Sequence, residues 1–519
     1  MESTDTISEP VDGERIVSRS FSAGDVILTC EPWIWVFDRA AYKDHCAHCF
    51  LKKQGLRTCS GCQLHRYCSK ACQVSDWKME HKLECAMLKT LGGSMAMMDV
   101  TTGTGRTKFY GGRAFDLIAK ISNKIKLNVT MDLGDQGTLS AVDIFHSLPE
   151  QPSWPRVGAV TTDERVDDSA LDLGISPSEF VDYNRIGAYN AMPLRDLRED
   201  RDRQYPFALA IYPQAPFRAM TPVCWDVNVT LNFNGRRLII VATEDIPNCT
   251  GLHDLRHNRM MTDPFSRPLV ERQDVFKMFY GYPCPCRKCT KEFDAETNPL
   301  KCITPECREP IPSDNRALAP CPRCGAVNSD QLEKFMRFTE KCEALWRDNV
   351  AEMEQTLENV RHFKEVQAET FLHPNAHIRY VYSYNRYLDY LNDGRFEEGW
   401  KLAQEMVACL KKVHPKYDVA LAAKIASIGC MAVSAVKKKV LSTPLKKRKR
   451  LQPFVTAMCP VARSYCKEAE DLYISVLGAD SAGADIGREW CADVDDRISS
   501  LQAAVNGDEC QPFAGFVVF

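Results

Sequence analysis

The chain has 519 residues, 26% charged and 45% hydrophobic, with a formal net charge of −3. Such a composition suits two to four ordinary globular domains and gives no global reason to expect nucleic-acid binding. The polar, acidic start MESTDTISEP is not expected to act as an export signal, and no apolar run is expected to reach the roughly 18 residues of a membrane span. Cysteine is the unusual residue, at 24. Many of the cysteines fall in short C-x2-C steps, a pattern read as metal binding in a reducing compartment rather than as a disulfide framework.

In chain order, residues 21–36 (FSAGDVILTCEPWIWV) predict a turn at Ala23-Gly24 and then an apolar strand. The densest ligand cluster follows, spaced C-x2-C-x9-C-x2-C-x5-C-x3-C-x8-H-x3-C, from Cys46 to Cys85. Cys46, Cys49, Cys59, Cys62, Cys68, Cys72, His81 and Cys85 are enough for two tetrahedral zinc ions. Cys68/Cys72 and His81/Cys85 are i, i+4 pairs, each able to project from one face of a helical turn. His45, His48 and His65 are spare and are expected on the solvated surface.

Residues 229–247 (VTLNFNGRRLIIVATEDIP) predict a hairpin turning at Asn234-Gly235. Cys284, Cys286 and Cys289 form C-x-C-x2-C, one ligand short of a tetrahedron, and Cys224, Cys249 and Cys342 are all candidates for the fourth. Cys302, Cys307, Cys321 and Cys324, spaced C-x4-C-x13-C-x2-C, read as a zinc ribbon in which Gly325 adopts positive φ beside the metal.

From about residue 332 the pattern is helical. Tyr380, Tyr384, Tyr387, Leu388 and Leu391 share one helix face; Phe396, Trp400, Ala403, Val407 and Leu410 share another across Asp393-Gly394. YLNDGRFEEGWKLA is similar to a tetratricopeptide hairpin, and CPVARSYCKEAEDLYISVLG resembles a weaker second copy. Between them VKKKV (436–440) and PLKKRKRL (444–451) predict a basic loop: an import signal, a patch for an anionic partner, or simply a solvated segment.

The 46–85 cluster, with Tyr67, Gln73, Trp77 and Lys82 between its ligands, resembles a MYND zinc finger. That resemblance implies one zinc on Cys46, Cys49, Cys68 and Cys72, and another on Cys59, Cys62, His81 and Cys85. It also implies a protein-binding module, often for proline-containing peptides. A finger near the N-terminus with C-x-C-x2-C far downstream resembles the SET-and-MYND family of protein lysine methyltransferases. The expected fold is α+β and zinc-rich. A β-rich SET domain (13–45 and 181–283) is split by the finger (46–85) and an insert (86–180). A post-SET cluster with a ribbon (284–328) and a helical, tetratricopeptide-like domain (329–505) follow.

The resemblance implies Cys224 as the fourth ligand of the post-SET cluster, because Thr221, Pro222, Val223 and Cys224 stand where the family has Asn-His-Ser-Cys. The Asn-His that would grip S-adenosylmethionine is therefore missing. The family's Gly-x-Gly reads Asp12 to Arg15, and the channel tyrosine is missing from a stretch that contains Arg256. Asn190, Tyr280 and Tyr282 match surviving cofactor-wall positions, and no catalytic residue is assigned. The function expected is a zinc-stiffened interaction protein with a methyltransferase-like fold, the alternative being an active S-adenosylmethionine-dependent lysine methyltransferase. About four zinc ions, protein partners, no membrane or nucleic acid, and a nuclear or cytoplasmic location complete the expectation.

Overall fold

The computed structural model describes residues 20–38, 41–97, 111–132, 138–148, 171, 173–194, 207–213, 220–222, 227–248, 252–254, 273, 276, 277, 282–286, 289, 300–307, 309–311, 320–327, 333, 337 and 378–507. Strands β1 (Val26–Cys30) and β2 (Ile34–Phe37) follow a turn in which Gly24 has φ 95°. A one-turn helix α1 (Ala41–Asp44) leads into the finger, which holds β3 (Arg57–Thr58), β4 (Arg66–Tyr67), helix α2 (Lys70–Asp76), a π turn (Trp77–His81) and α3 (Lys82–Met97). Beyond lie α4 (Gly111–Lys126), β5 (Thr130–Asp132), β6 (Thr138–Ser140), α5 (Ala141–Ser147), α6 (Pro177–Asn190), β7 (Met192–Leu194), β8 (Ala208–Ile211), β9 (Met220–Pro222), β10 (Val229–Asn234), β11 (Arg237–Ala242) and β12 (Leu252–Asp254).

These strands make small sheets rather than one extended β unit. β1-β11-β10 and β2-β8-β7 are antiparallel sheets of three strands each; β9 and β12 pair in parallel. The architecture described is thus mixed α/β, less β-rich than expected. The predicted hairpin is β10-β11, in register from Val229↔Ala242 to Asn234↔Arg237. Gly235 takes φ 61°, and a Cβ there would meet the carbonyl oxygen of Cys49 at 2.6 Å, so the turn fits only glycine against the finger.

Two strands organise the layers because both of their faces are buried. In β2, Trp35 and Phe37 point into a core shared with the finger, while Ile34 and Val36 pack against α4, α5 and α6. In β11, Leu238, Ile240 and Ala242 join the finger-side core, while Ile239 and Val241 enter the core of the helical domain. This is the period of two of an extended chain, with apolar residues on both sides.

The helical domain contains α7 (Ile378–Asp393), α8 (Phe396–Val413), α9 (Val419–Ser442), the short α10 (Leu445–Arg448), α11 (Gln452–Leu477) and α12 (Ala482–Asn506). α7 and α8 form the predicted hairpin: Gly394 turns with φ 75°, and Tyr387, Phe396, Trp400, Ala403, Val407 and Leu410 are buried. The side chains of Tyr380 and Tyr384 lie outside the described residues. The second copy is the first arm of another hairpin, α11 and α12, turning at Gly478. α9 corrects the expectation about apolar runs. It is long and apolar enough to cross a membrane, with mean hydropathy 1.9, but 78% of that window is buried inside the protein, as in the central helix of a bundle. Its N-terminus is fixed to the sheet, since the backbone N–H of Val419 donates to Asn232 Oδ1 on β10 at 3.0 Å.

Charge also ties the insert to the finger. Lys120 Nζ of α4 lies 2.8 Å from Glu84, both side chains 1% exposed, and 4.1 Å above the ring of Trp35. Lys124 Nζ lies 2.8 Å from Glu80 and donates to the Trp33 carbonyl at 2.6 Å. Burial alone would strip Lys120 of its proton; Glu84 and Glu80 outweigh it and hold the ammonium above its ordinary pKa. Removing one partner leaves a buried, uncompensated charge, at a cost of about 3–5 kcal/mol. Lys120→Met should therefore lower the urea midpoint strongly, and adding Glu84→Met should recover most of the loss. An unchanged midpoint in the single variant would show that the pair is not buried.

Candidate metal centres and the finger surface

The eight finger residues converge in two groups, Cys46/Cys49/Cys68/Cys72 and Cys59/Cys62/His81/Cys85, each with its ligand atoms within 4.8 Å of one another. A zinc tetrahedron with Zn–S bonds of 2.3 Å has S···S edges of about 3.8 Å. Here Cys49 Sγ lies 3.7 Å from Cys68 Sγ, Cys68 Sγ 3.5 Å from Cys72 Sγ, and Cys59 Sγ 3.9 Å from Cys85 Sγ. His81 Nε2 lies 3.2 Å from Cys59 Sγ and 3.7 Å from Cys62 Sγ. The donor sets fit Zn2+ in number, softness and spacing, in the interleaved pairing that the resemblance implied.

Local structure delivers these ligands in two ways. Each C-x2-C step closes a turn in which the residue after the second cysteine donates its N–H to the carbonyl of the first. Phe50 does so at 2.9 Å with φ 61°, Gln63 at 3.0 Å with φ 59°, and Gly325 at 2.8 Å with φ 70°. Gly325 has the predicted positive φ; Phe50 and Gln63 adopt it without glycine's freedom, a cost that metal binding of order 10 kcal/mol can offset. The helical ligands differ slightly from the i, i+4 expectation. Cys68 precedes α2, whose N-cap Ser69 accepts from the Cys72 N–H, while His81 ends the π turn and Cys85 lies in α3.

Of the spare histidines, His45 and His65 are buried, not solvated. His45 Nδ1 lies 2.6 Å from Asp44 Oδ1, and its ring stacks on Phe207 at 4.4 Å. His65 stacks between Trp35, at 5.2 Å, and His81, at 4.6 Å, with Nδ1 3.6 Å from Asp76 Oδ2. Asp76 also accepts from the Tyr67 hydroxyl at 2.7 Å and lies 3.6 Å from Arg236. Burial pushes His81 down to about 4, so its imidazole is neutral, the form a metal requires. The sequence signal for this shell was Tyr67 and the HRY step itself; its partner Arg236 is far away in the chain.

Cys302, Cys307, Cys321 and Cys324 also converge, with Cys302 Sγ 3.4 Å from Cys324 Sγ and Cys307 Sγ 3.7 Å from Cys321 Sγ, below a two-strand ladder of β13 (Leu300–Lys301) and β14 (Pro310–Ile311). Cys284, Cys286 and Cys289 are buried with their sulfurs together. Gln273, which sequence reasoning missed, clasps this knuckle: Nε2 donates to the carbonyls of Cys284 and Cys289, and Oε1 accepts from the Cys284 N–H at 2.7 Å.

Residues 12–15, Cys224, Cys249, Arg256, Tyr280 and Cys342 lie outside the described residues. Asn190 is buried, its amide donating to the Ile186 carbonyl at 2.8 Å. Tyr282 is 39% exposed, its ring 5.6 Å from that of Phe276. Thr221 and Pro222 sit in β9 opposite His253 and Asp254 of β12. On the finger, Val74 and Trp77 are each 42% exposed on one helical face.

Soft ligand clusters around an interleaved two-site finger define a zinc-finger protein of the MYND type, and the MYND finger family model matches residues 46–85. The chain is similar to N-lysine methyltransferase SMYD2-B of Xenopus laevis, 25% identical over 297 residues, covering 53% of this chain and 58% of that protein. It is similar to N-lysine methyltransferase SMYD2 of Mus musculus, 38% identical over 279 residues, covering 52% and 56%. To the human SMYD2 it is 38% identical over 72 residues, 14% of this chain and 16% of that one. The longer of these matches span little more than half the relatives' length. The chain thus carries a MYND finger and, over about half its length, is similar to SMYD2 proteins.

Gly61 offers a local test of the second finger site, since a Cβ there would meet Cys85 Sγ at 2.7 Å. Gly61→Ala should displace that ligand and cost about one zinc per chain, given four ligands per site. Elemental analysis showing a full metal complement in the variant would refute the placement of Cys85.

Proposed function

We propose that this protein is a zinc-stiffened scaffold that binds proline-containing segments of partner proteins through its finger and does not transfer methyl groups. Trp77 carries the reading. A large indole 42% exposed on a helix, with Val74 one turn before it, is an unusual expense of apolar surface unless something covers it. The helix beneath is fixed by metal ligands on either side of Trp77, Cys72 in α2 and His81 at the end of the π turn, so the surface is preorganised.

The departures from the family support the loss of catalysis. Pro222 has no N–H to donate where the family has histidine, and Thr221 lacks an amide. Asn190 spends an amide hydrogen on its own helix. The zinc sites need none of these groups. On this reading Cys224 completes the post-SET tetrahedron, the four sites together hold about four zinc ions, and the frame around β9 and β12 is a SET core. An active lysine methyltransferase is the second reading, favoured by the N-lysine methyltransferase activity for which the SMYD2 relatives are named.

A labelled proline-containing peptide should bind by fluorescence polarisation, with Trp77→Ala weakening it at least about tenfold, as expected when a central aromatic is truncated. Calorimetry with S-adenosylmethionine should show no heat of binding at about millimolar cofactor, beyond the usual micromolar range of working cofactor sites. Micromolar cofactor binding, or radiolabel transfer to lysines, would establish the second reading instead. Cys224→Ser should lose one zinc and several kcal/mol of stability, about the value of a structural metal; retention of all zinc would assign the fourth ligand elsewhere.

A further inference from the structure

The basic run 436–451 is not the loop that its composition suggests. VKKKV completes the last turns of α9, with Lys437 buried, and PLKKRKRL folds into α10 and a 3-10 turn (Lys449–Leu451). Arg448 holds this cap in place. Its Nε donates to the Thr443 carbonyl at 2.8 Å, Nη1 to Ala504 at 2.9 Å and Nη2 to Leu441 at 3.1 Å, satisfying carbonyls where α9 and α12 end.

With Arg448 so used, Lys438, Lys439, Lys446, Lys447, Lys449 and Arg450 remain exposed. Several other cations of the domain have carboxylate partners, such as Lys411 with Glu468 and Arg463 with Asp495. Among the described residues none of these six makes an ion pair. A second observation selects the partner. Among the described side chains of the helical domain, the large apolar ones that stand exposed are Leu441, at 42%, and Leu445, at 53%, and both lie inside this cluster of cations.

We infer that the cap formed by the end of α9 and α10 docks on an anionic lipid surface, the lysines on phosphate headgroups and the two leucines in the apolar boundary beneath them. Duplex nucleic acid would use the cations and leave the leucines without a role, and the cap has no aromatic ring on which unpaired bases could stack. An anionic leaflet uses both components: surface potential attracts the lysines, and shallow apolar insertion adds adhesion that salt does not screen. The buried α9 behind the cap stays in the bundle, so the contact is peripheral.

Vesicle sedimentation with the full chain tests this, using phosphatidylcholine vesicles with and without about one third phosphatidylserine, enough to set a strongly negative surface potential. Binding is expected on the anionic vesicles and not on the neutral ones. Lys446→Gln/Lys447→Gln/Lys449→Gln should weaken it at least tenfold. Leu441→Ser/Leu445→Ser should weaken it severalfold and make the remainder more sensitive to salt. Unchanged zinc content and far-ultraviolet dichroism in both variants would exclude unfolding as the cause. Absence of binding to anionic vesicles, equal binding to neutral ones, or leucine variants that bind like the parent would overturn the proposal. So would tight binding to a DNA duplex that the lysine changes abolish and the leucine changes do not.

Discussion

The architecture rests on two strands that have no solvent face. β2 and β11 each send alternate side chains into different cores, and those cores hold the insert helices, the finger and the helical domain. A one-residue slip in either strand would exchange its two faces and send Trp35 or Leu238 into the wrong layer. Register is therefore fixed by shape: Trp35 and Phe37 suit the aromatic finger side, with Phe50, Tyr42 and His65 around them, whereas Ile34 and Val36 suit the aliphatic flank of α4. Everything placed relative to these strands inherits that register. The β10-β11 turn presses Gly235 on Cys49, and Arg236 reaches from the same turn to Glu31 at 3.2 Å and to Asp76.

The finger is accordingly an integral layer and not a bead on a flexible chain. Its metal ligands impose positive φ on Phe50 and Gln63, and its outer shell shares Asp76 with the sheet through Arg236. Burial would raise the Asp76 carboxyl, but His65, Tyr67 and Arg236 outweigh it and hold it below its ordinary pKa. Metal binding, aromatic packing and hairpin docking thus converge on one buried polar network. Such networks are costly when half satisfied and specific when complete. Val74 and Trp77 emerge beside this network, partly exposed, with the Trp77 ring 5.7 Å from that of His81.

Much of this was legible in the sequence. Ligand spacing located the finger, the ribbon and the C-x-C-x2-C knuckle; Asn234-Gly235 located the hairpin; and the apolar stripe of α8 located a helix pair. All of these are signals carried within a few dozen residues. What sequence reading missed depends on partners distant in the chain. His65 looked spare because its neighbours Trp35 and Tyr42 and its carboxylate Asp76 converge only on folding. Lys120 and Lys124 carry no local signature of their burial, because their partners Glu84 and Glu80 lie on separate elements. Gln273 has no local signature at all. The basic run was read as a loop because charge density hid its helical caps, and the single Lys424 interrupted an apolar stretch that α9 nevertheless buries.

The same separation between local and distant signals bears on which residues the fold depends on. Metal tetrahedra and the two-faced strands depend on residues that touch one another directly. Among the described contacts, β9 pairs with β12 through its backbone, and Asn190 donates to Ile186 within its own helix. On the reading proposed above, substitution at the cofactor positions would remove binding determinants while leaving the metal ligands and the two-faced strands in place. The converse does not hold: a finger stripped of zinc would release Phe50 and Gln63 from their strained backbone and loosen Asp76, and the Trp35 core would lose one wall. On the reading proposed above, selection for a partner-binding surface alone would preserve the ligands and the β11 register, with no demand on groups that grip a cofactor.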